Sequence, residues 1–105
     1  MVMETPTPIK RLRRLLTSGN LWLYLLSLIN SEGKLYAYNL DEQIEKRFSF
    51  KPDKIMVYIV LYRLENEGLI SSETHERRKY YTLSAKGKES LSAAREHFKM
   101  LAKRL

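Results

Sequence analysis

The sequence predicts a mainly α domain that carries a single small β-hairpin, and three observations predict it. Apolar residues recur at helical spacing in five segments of the 105-residue chain. Two short runs rich in β-branched and aromatic residues, "LISSET" and "RKYYTL", are separated only by His75, Glu76 and Arg77, as the arms of a hairpin are. The length suffices for one hydrophobic core and is too short for two comfortable ones, so residues 1–105 are read as one domain.

The elements follow in order. Thr5 to Pro8 form a breaker, after which Ile9, Leu12, Leu15 and Leu16 recur among Lys10, Arg11, Arg13 and Arg14. This is a basic amphipathic helix over 9–18, closed by Ser18 and Gly19. Asn20 stands where it caps the next helix, whose body "LWLYLLSLI" is apolar on every side except at Ser27. Such a helix has to be covered on two faces. One suits the chain's own core; the other, with Trp22 near its start, calls for a partner subunit. A turn at Gly33 leads to a third helix, on which Leu40, Ile44 and Phe48 fall four apart and Asp41, Glu42 and Glu45 suit the positive end of the helix dipole. Pro52 and Asp53 open a fourth helix, over 52–67, stopped by Gly68. The hairpin over 70–83 follows, and Ser84 caps a final helix that runs to the C-terminus. The order is that of a winged helix-turn-helix over 20–83, with an extra N-terminal helix and a C-terminal helix over 84–105.

Charge narrows the partners. Nineteen Lys and Arg against twelve Asp and Glu leave +7, a surplus that concentrates polyanions such as nucleic acid near the surface. The absence of cysteine excludes disulfides and thiolate metal sites, and no secretory leader pattern opens the chain, so a cytoplasmic location is expected. Leu21 to Ile29 is about half the length a bilayer span needs, so no membrane partner is expected. No Gly-flanked serine elbow, Gly-rich phosphate loop or metal-ligand spacing is present. His75 reads as a turn residue, since His97 is the only other histidine. Neither enzymatic activity, nor a cofactor, nor a metal is expected.

Three features remain as candidate sites. Placed at steps of about 100°, Lys54, Val57, Tyr58, Leu61, Leu64 and Glu65 fall on one arc of the fourth helix, read as inward, although Lys54 at the first turn can escape to solvent. Ile55, Met56, Ile59, Tyr62, Arg63 and Asn66 fall outward. The outward arc is apolar in its first turns, where a reader of base edges usually carries Arg, Lys, Asn or Gln. Three readings stay open: Ile55, Met56 and Ile59 pack on thymine methyl groups while Lys51, Lys54 and Arg63 hold phosphates; the arc meets protein; or the arc is rotated and these side chains are core. The hairpin tip carries Arg77, Arg78 and Lys79 in a row, which suits a minor groove or backbone contact, or else is a solvated turn offset by Glu73 and Glu76. On the final helix Leu91, Ala94, Phe98, Leu101 and Leu105 recur three and four apart, the seam of two heptads. The seam packs either on its own domain or, together with the second face of the Trp22 helix, across a two-fold axis; the second arrangement covers both stripes and predicts a homodimer.

Three segments carry a resemblance. "TSGNLWLYLLSLINSEGKLYAYNL", "VYIVLYRLENEGLI" and "RKYYTLSAKG" together resemble the PadR family of transcriptional regulators over about residues 17 to 92. The middle segment is the most telling, with Tyr58, Leu61, Arg63, Leu64, Glu65, Glu67, Gly68, Leu69 and Ile70 in family order, and Lys79, Tyr81, Leu83 and Gly87 match the wing strand and the cap that follows. Ala37 stands where the family has glycine, and the wing tip "THERR" lacks the Gly and Pro often found there. The resemblance implies sequence-dependent binding of double-stranded DNA, as a repressor, with the fourth helix in the major groove and the wing beside it. It also implies dimerisation through the C-terminal helix and a small aromatic effector at the dimer interface, near Trp22 and Phe98. The rival functions are a winged-helix protein-interaction module and a nonspecific, chromatin-like DNA-binding protein.

Overall fold

A computed structural model describes residues 4–105; the first three residues of the expected domain lie outside the described residues. Five α-helices and a small sheet run in the order α1 (Thr7–Leu16), α2 (Leu21–Glu32), β1 (Leu35–Tyr36), α3 (Leu40–Phe48), α4 (Lys54–Asn66), β2 (Ile70–His75), β3 (Arg78–Leu83) and α5 (Ala85–Arg104). The chain is a winged helix-turn-helix, mainly α, as the element order predicts. Helix α1 starts and stops two residues before the expected 9–18, and Ser18–Asn20 form a 3₁₀ turn instead.

Helix α2 is the hub, because a helix apolar all round finds cover on several sides. Its Leu21, Leu25, Leu26, Leu28 and Ile29 are buried against Leu40 and Ile44 of α3, Val57, Leu61 and Leu64 of α4, Leu35, Ile70 and Tyr81 of the sheet, and Leu91 of α5. Asn20 does not cap α2 with its side chain. Its Oδ1 accepts from Trp22 Nε1 at 3.2 Å and its amide nitrogen donates back to the Leu15 carbonyl, so it ties α2 to α1.

The sheet has one strand more than the hairpin. Strand β1 pairs antiparallel with β3, Leu35 opposite Tyr81 and Tyr36 opposite Tyr80, giving the order β1-β3-β2. Two residues are too few to display alternation, so no periodic signal marks this strand. In the hairpin, Ser72 faces Tyr81 and His75 faces Arg78, leaving Glu76 and Arg77 as a two-residue turn. Both have positive φ, 50° and 67°, the pair of left-handed conformations that lets a tight hairpin follow the strand twist and that usually falls to Asn-Gly.

Helix α5 docks at its first turn. Ser84 Oγ accepts from the Gly87 amide at 3.0 Å and donates to the Gly68 carbonyl at 2.6 Å, while the Ser84 amide donates to the Leu69 carbonyl at 3.1 Å. One serine thereby fixes the end of α4, the start of β2 and the start of α5 together. Beyond Leu91 the helix leaves the core, and Phe98, Leu101 and Leu105 are exposed.

Candidate nucleic-acid interface

Helix α4 is held at both ends and bare along one side. Pro52 is buried, and the Asp53 carboxylate caps the helix by accepting from the amides of Ile55 at 2.9 Å and Met56 at 3.1 Å. The segment that turns α3 into α4 is pinned by Tyr24, whose ring meets Phe48 and Phe50 edge-on at 4.9 and 4.8 Å. Burial raises the pKa of that tyrosine, whose hydroxyl donates to the Leu16 carbonyl.

With both ends fixed, the faces of α4 resolve into three strips. Val57, Leu61 and Leu64 are buried. Ile55, Tyr58, Ile59 and Tyr62, spaced i, i+3, i+4 and i+7, form a bare strip, with exposures of 71%, 42%, 37% and 68%. Ile55, Met56 and Ile59 are therefore not core, which removes the reading in which the arc is rotated. Tyr58, read as inward, is exposed instead: it sits at the edge of the inward arc, and helical angle alone does not say how wide the core contact is. The third strip, Met56, Val60 and Arg63, borders a groove of about 500 Å³ shared with Trp22 of α2 and Ser90 of α5. Of the candidate DNA residues on this helix, Ile55 and Ile59 thus stand together, while Met56 and Arg63 turn toward the groove. Lys51 and Lys54, at the positive end of the helix, are exposed, and neither forms an ion pair among the described residues.

The three basic residues of the wing point three ways, because strand neighbours alternate faces. Arg77 is at the tip. Arg78 lies over the Tyr36 ring at 5.5 Å. Lys79 turns to the core face, with Nζ 4.0 Å from Glu65 of α4. Beside Arg78 is a cluster that sequence reasoning missed: Tyr36 stacks on Tyr38 at 5.7 Å and meets Tyr80 at 5.4 Å. The alternation of Tyr36 and Tyr38 was its only sequence signal, and it needed β1 to be recognised as a strand. Glu73 joins this face, with its carboxylate 2.5 Å from Lys34 Nζ and 3.3 Å from His75 Nε2; hydrogen bonds from these two side chains, Lys34 first, lower its pKa. At the far end of the molecule, Leu91 belongs to the chain's own core and Ala94 is half-buried, so the bare part of the α5 seam is Phe98, Leu101 and Leu105.

The family model described as the transcriptional regulator PadR-like family matches residues 25–93, from within α2 to the middle of α5. The chain belongs to the PadR-like family of transcriptional regulators. This is a family of regulators and not of enzymes. No curated protein matches the chain. Among solved structures, this PadR-like chain is similar to a transcriptional regulator from Clostridium thermocellum, at 24% identity over 95% of this chain and 93% of that one, with a TM-score of 0.72. It is similar also to a PadR family transcription regulator from Clostridium difficile, at 26% identity over 78% and 90%, with a TM-score of 0.69. A third likeness is to F93 from STIV, a winged-helix DNA-binding protein, at 23% identity over 79% and 90%, with a TM-score of 0.68. Among the described residues of the PadR-like chain, no helix is long and apolar enough to cross a membrane.

Proposed function

We propose that this PadR-like regulator binds double-stranded DNA in a sequence-dependent manner as a cytoplasmic homodimer, and represses transcription by occupying its site. The observation that carries the reading is the bare strip Ile55, Tyr58, Ile59 and Tyr62 on α4, the recognition helix of the winged-helix fold. A helix whose amino end carries Lys51 and Lys54 is suited to enter a major groove, where the isoleucines pack on thymine methyl groups; Asp53 already takes the Ile55 and Met56 amides, so the lysines are what hold phosphate there. That chemistry favours A·T-rich sites. Arg77 at the wing tip reaches the adjacent minor groove or backbone, with Arg78 behind it, whereas Lys79 is partly occupied by Glu65.

Replacing Arg77 and Arg78 together by Ala tests the wing. Alanine leaves the left-handed strain at residue 77 in place, so charge is the variable there, while at residue 78 the contact over the Tyr36 ring is lost as well. The slope of log affinity against log salt is expected to flatten by about 2 in one protomer and about 4 in a dimer on two half-sites. Melting temperature should barely move, since exposed turn charges contribute little to folding. Unaltered affinity and slope would reduce the tip to a solvated turn.

The dimer reading is supported by the exposed end of the α5 seam and by the groove beside the half-buried Trp22. Seating Phe98, Leu101 and Leu105 of one copy against Trp22, Met56 and Val60 of the other covers both. Sedimentation at micromolar concentration should report a dimer, and Phe98→Asp with Leu101→Asp should give monomers or unfolded chain. An unchanged dimer from that variant removes α5 from the interface. A small aromatic effector at this interface would take the part of the groove that the second copy leaves open, where Arg63 on the wall offers a cation to an acidic or electron-rich ring.

A further inference from the structure

Helix α1 lies outside the residues that match the family, and it buries none of its own. At steps of about 100° per residue its ten residues divide cleanly: Ile9, Leu12, Leu15 and Leu16 occupy one arc, and Lys10, Arg11, Arg13 and Arg14 occupy the opposite one. The helix itself holds no acidic residue, and none of the four cations forms an ion pair among the described residues. Four like charges within about one and a half turns repel one another and weaken the helix that carries them. A surface with this cost and no internal partner fits an external polyanion.

The helix is not a free tail. Thr17 Oγ1 donates to the Arg13 carbonyl at 2.6 Å, Asn20 donates to the Leu15 carbonyl, and the Tyr24 hydroxyl donates to the Leu16 carbonyl. Leu16 is half-buried, and a Cβ placed on Gly19 would lie 3.9 Å from Leu15 Cδ2. Leu16, at the C-terminal end of the apolar arc, is therefore held against the turn that follows, whereas Ile9, Leu12 and Leu15 are exposed at 39%, 51% and 47%, as are the four cations. Three of the four cations are arginines, whose planar fork matches phosphate oxygens. A cationic arc fixed to a body that already grips a duplex meets its phosphates at high effective concentration.

We propose that α1 is a second DNA contact: a sequence-independent phosphate clamp formed by Lys10, Arg11, Arg13 and Arg14, engaging the backbone outside the segment read by α4 and the wing. This rests on the duplex-binding reading above, and the two fail differently. The test compares the full chain with the variant Lys10→Gln, Arg11→Gln, Arg13→Gln, Arg14→Gln, a set of changes that keeps good helix formers. The probe is a random-sequence 40-bp duplex, since no particular site is needed. Removing the clamp should flatten the salt slope by about 2 to 4 per protomer and lower affinity at 0.1 M salt by at least about tenfold, with melting temperature and sedimentation unchanged. A variant that keeps the wild-type affinity and slope overturns the clamp and leaves the winged-helix reading standing. A wild-type chain that binds no duplex at all overturns both. A wild-type chain that prefers phosphatidylglycerol vesicles to the duplex at equal phosphate concentration, and loses that preference in the variant, overturns the clamp in favour of a lipid surface.

Discussion

Ile55→Asp is expected to leave the protein folded and to lower its affinity for duplex DNA by about 100-fold or more, the equivalent of about 2.7 kcal/mol. Ile55 is 71% exposed in the first turn of α4, so losing it opens no cavity. A carboxylate at that position suits the positive end of the helix and should hold or slightly raise the melting temperature. The same carboxylate in a major groove replaces a methyl contact with like-charge repulsion against the phosphates, which costs several kcal/mol at close range. Ile59→Asp should act in the same direction on DNA, with a modest loss of stability because Ile59 is less exposed. Circular dichroism and a duplex titration on the same sample check both effects. A folded Ile55→Asp protein with wild-type affinity would mean that the strip meets something other than DNA. An unfolded one would mean that it is part of the core.

The largest effect on stability is expected at Gly87, where alanine should destabilise the protein by about 3 kcal/mol, with a fall in melting temperature of about 12 to 24 °C. Helix propensity alone points the other way, since alanine inside a helix is favoured over glycine by about 1 kcal/mol. The contact decides. A Cβ on Gly87 would lie 2.0 Å from the Leu69 carbonyl oxygen and 3.1 Å from its carbon, which are backbone atoms of the segment that enters β2. Neither side can give way without breaking the Ser84 hydrogen bonds that join α4, β2 and α5. Thermal unfolding of Gly87→Ala checks this, and an unchanged or raised melting temperature would show that α5 can ride away from the sheet at little cost.

What was legible in the sequence follows the strength of each local signal. Helices α2 to α5 and the hairpin were legible because apolar period, caps and stops agree: Asp53 caps α4, Ser84 caps α5, and Gly68 takes the left-handed position after α4. Strand β1 was not, because Leu35 and Tyr36 become a strand only by pairing with β3, a partner more than forty residues away. The wing turn was not, because Glu76 and Arg77 are forced into left-handed conformations by the strand register and not by their own preference. On α4, angular placement found the exposed isoleucines and misplaced Tyr58, since the width of the buried strip depends on how α2 and α3 lie against it. The groove beside Trp22 is a property of three helices together, so no single periodicity announces it.

The most direct measurement of the central claim is the affinity of the wild-type protein for A·T-rich and G·C-rich duplexes of equal length, across a range of salt concentrations. Lys51, Lys54, Arg77 and Arg78 predict a linear fall of log affinity with log salt, with a slope of about −3.6 for each engaged protomer from these contacts alone. The bare strip on α4 predicts a preference for the A·T-rich duplex that survives as salt rises, because methyl contacts are not screened as charges are. Binding that falls with salt and never distinguishes the two duplexes, or no binding to either, would contradict the account.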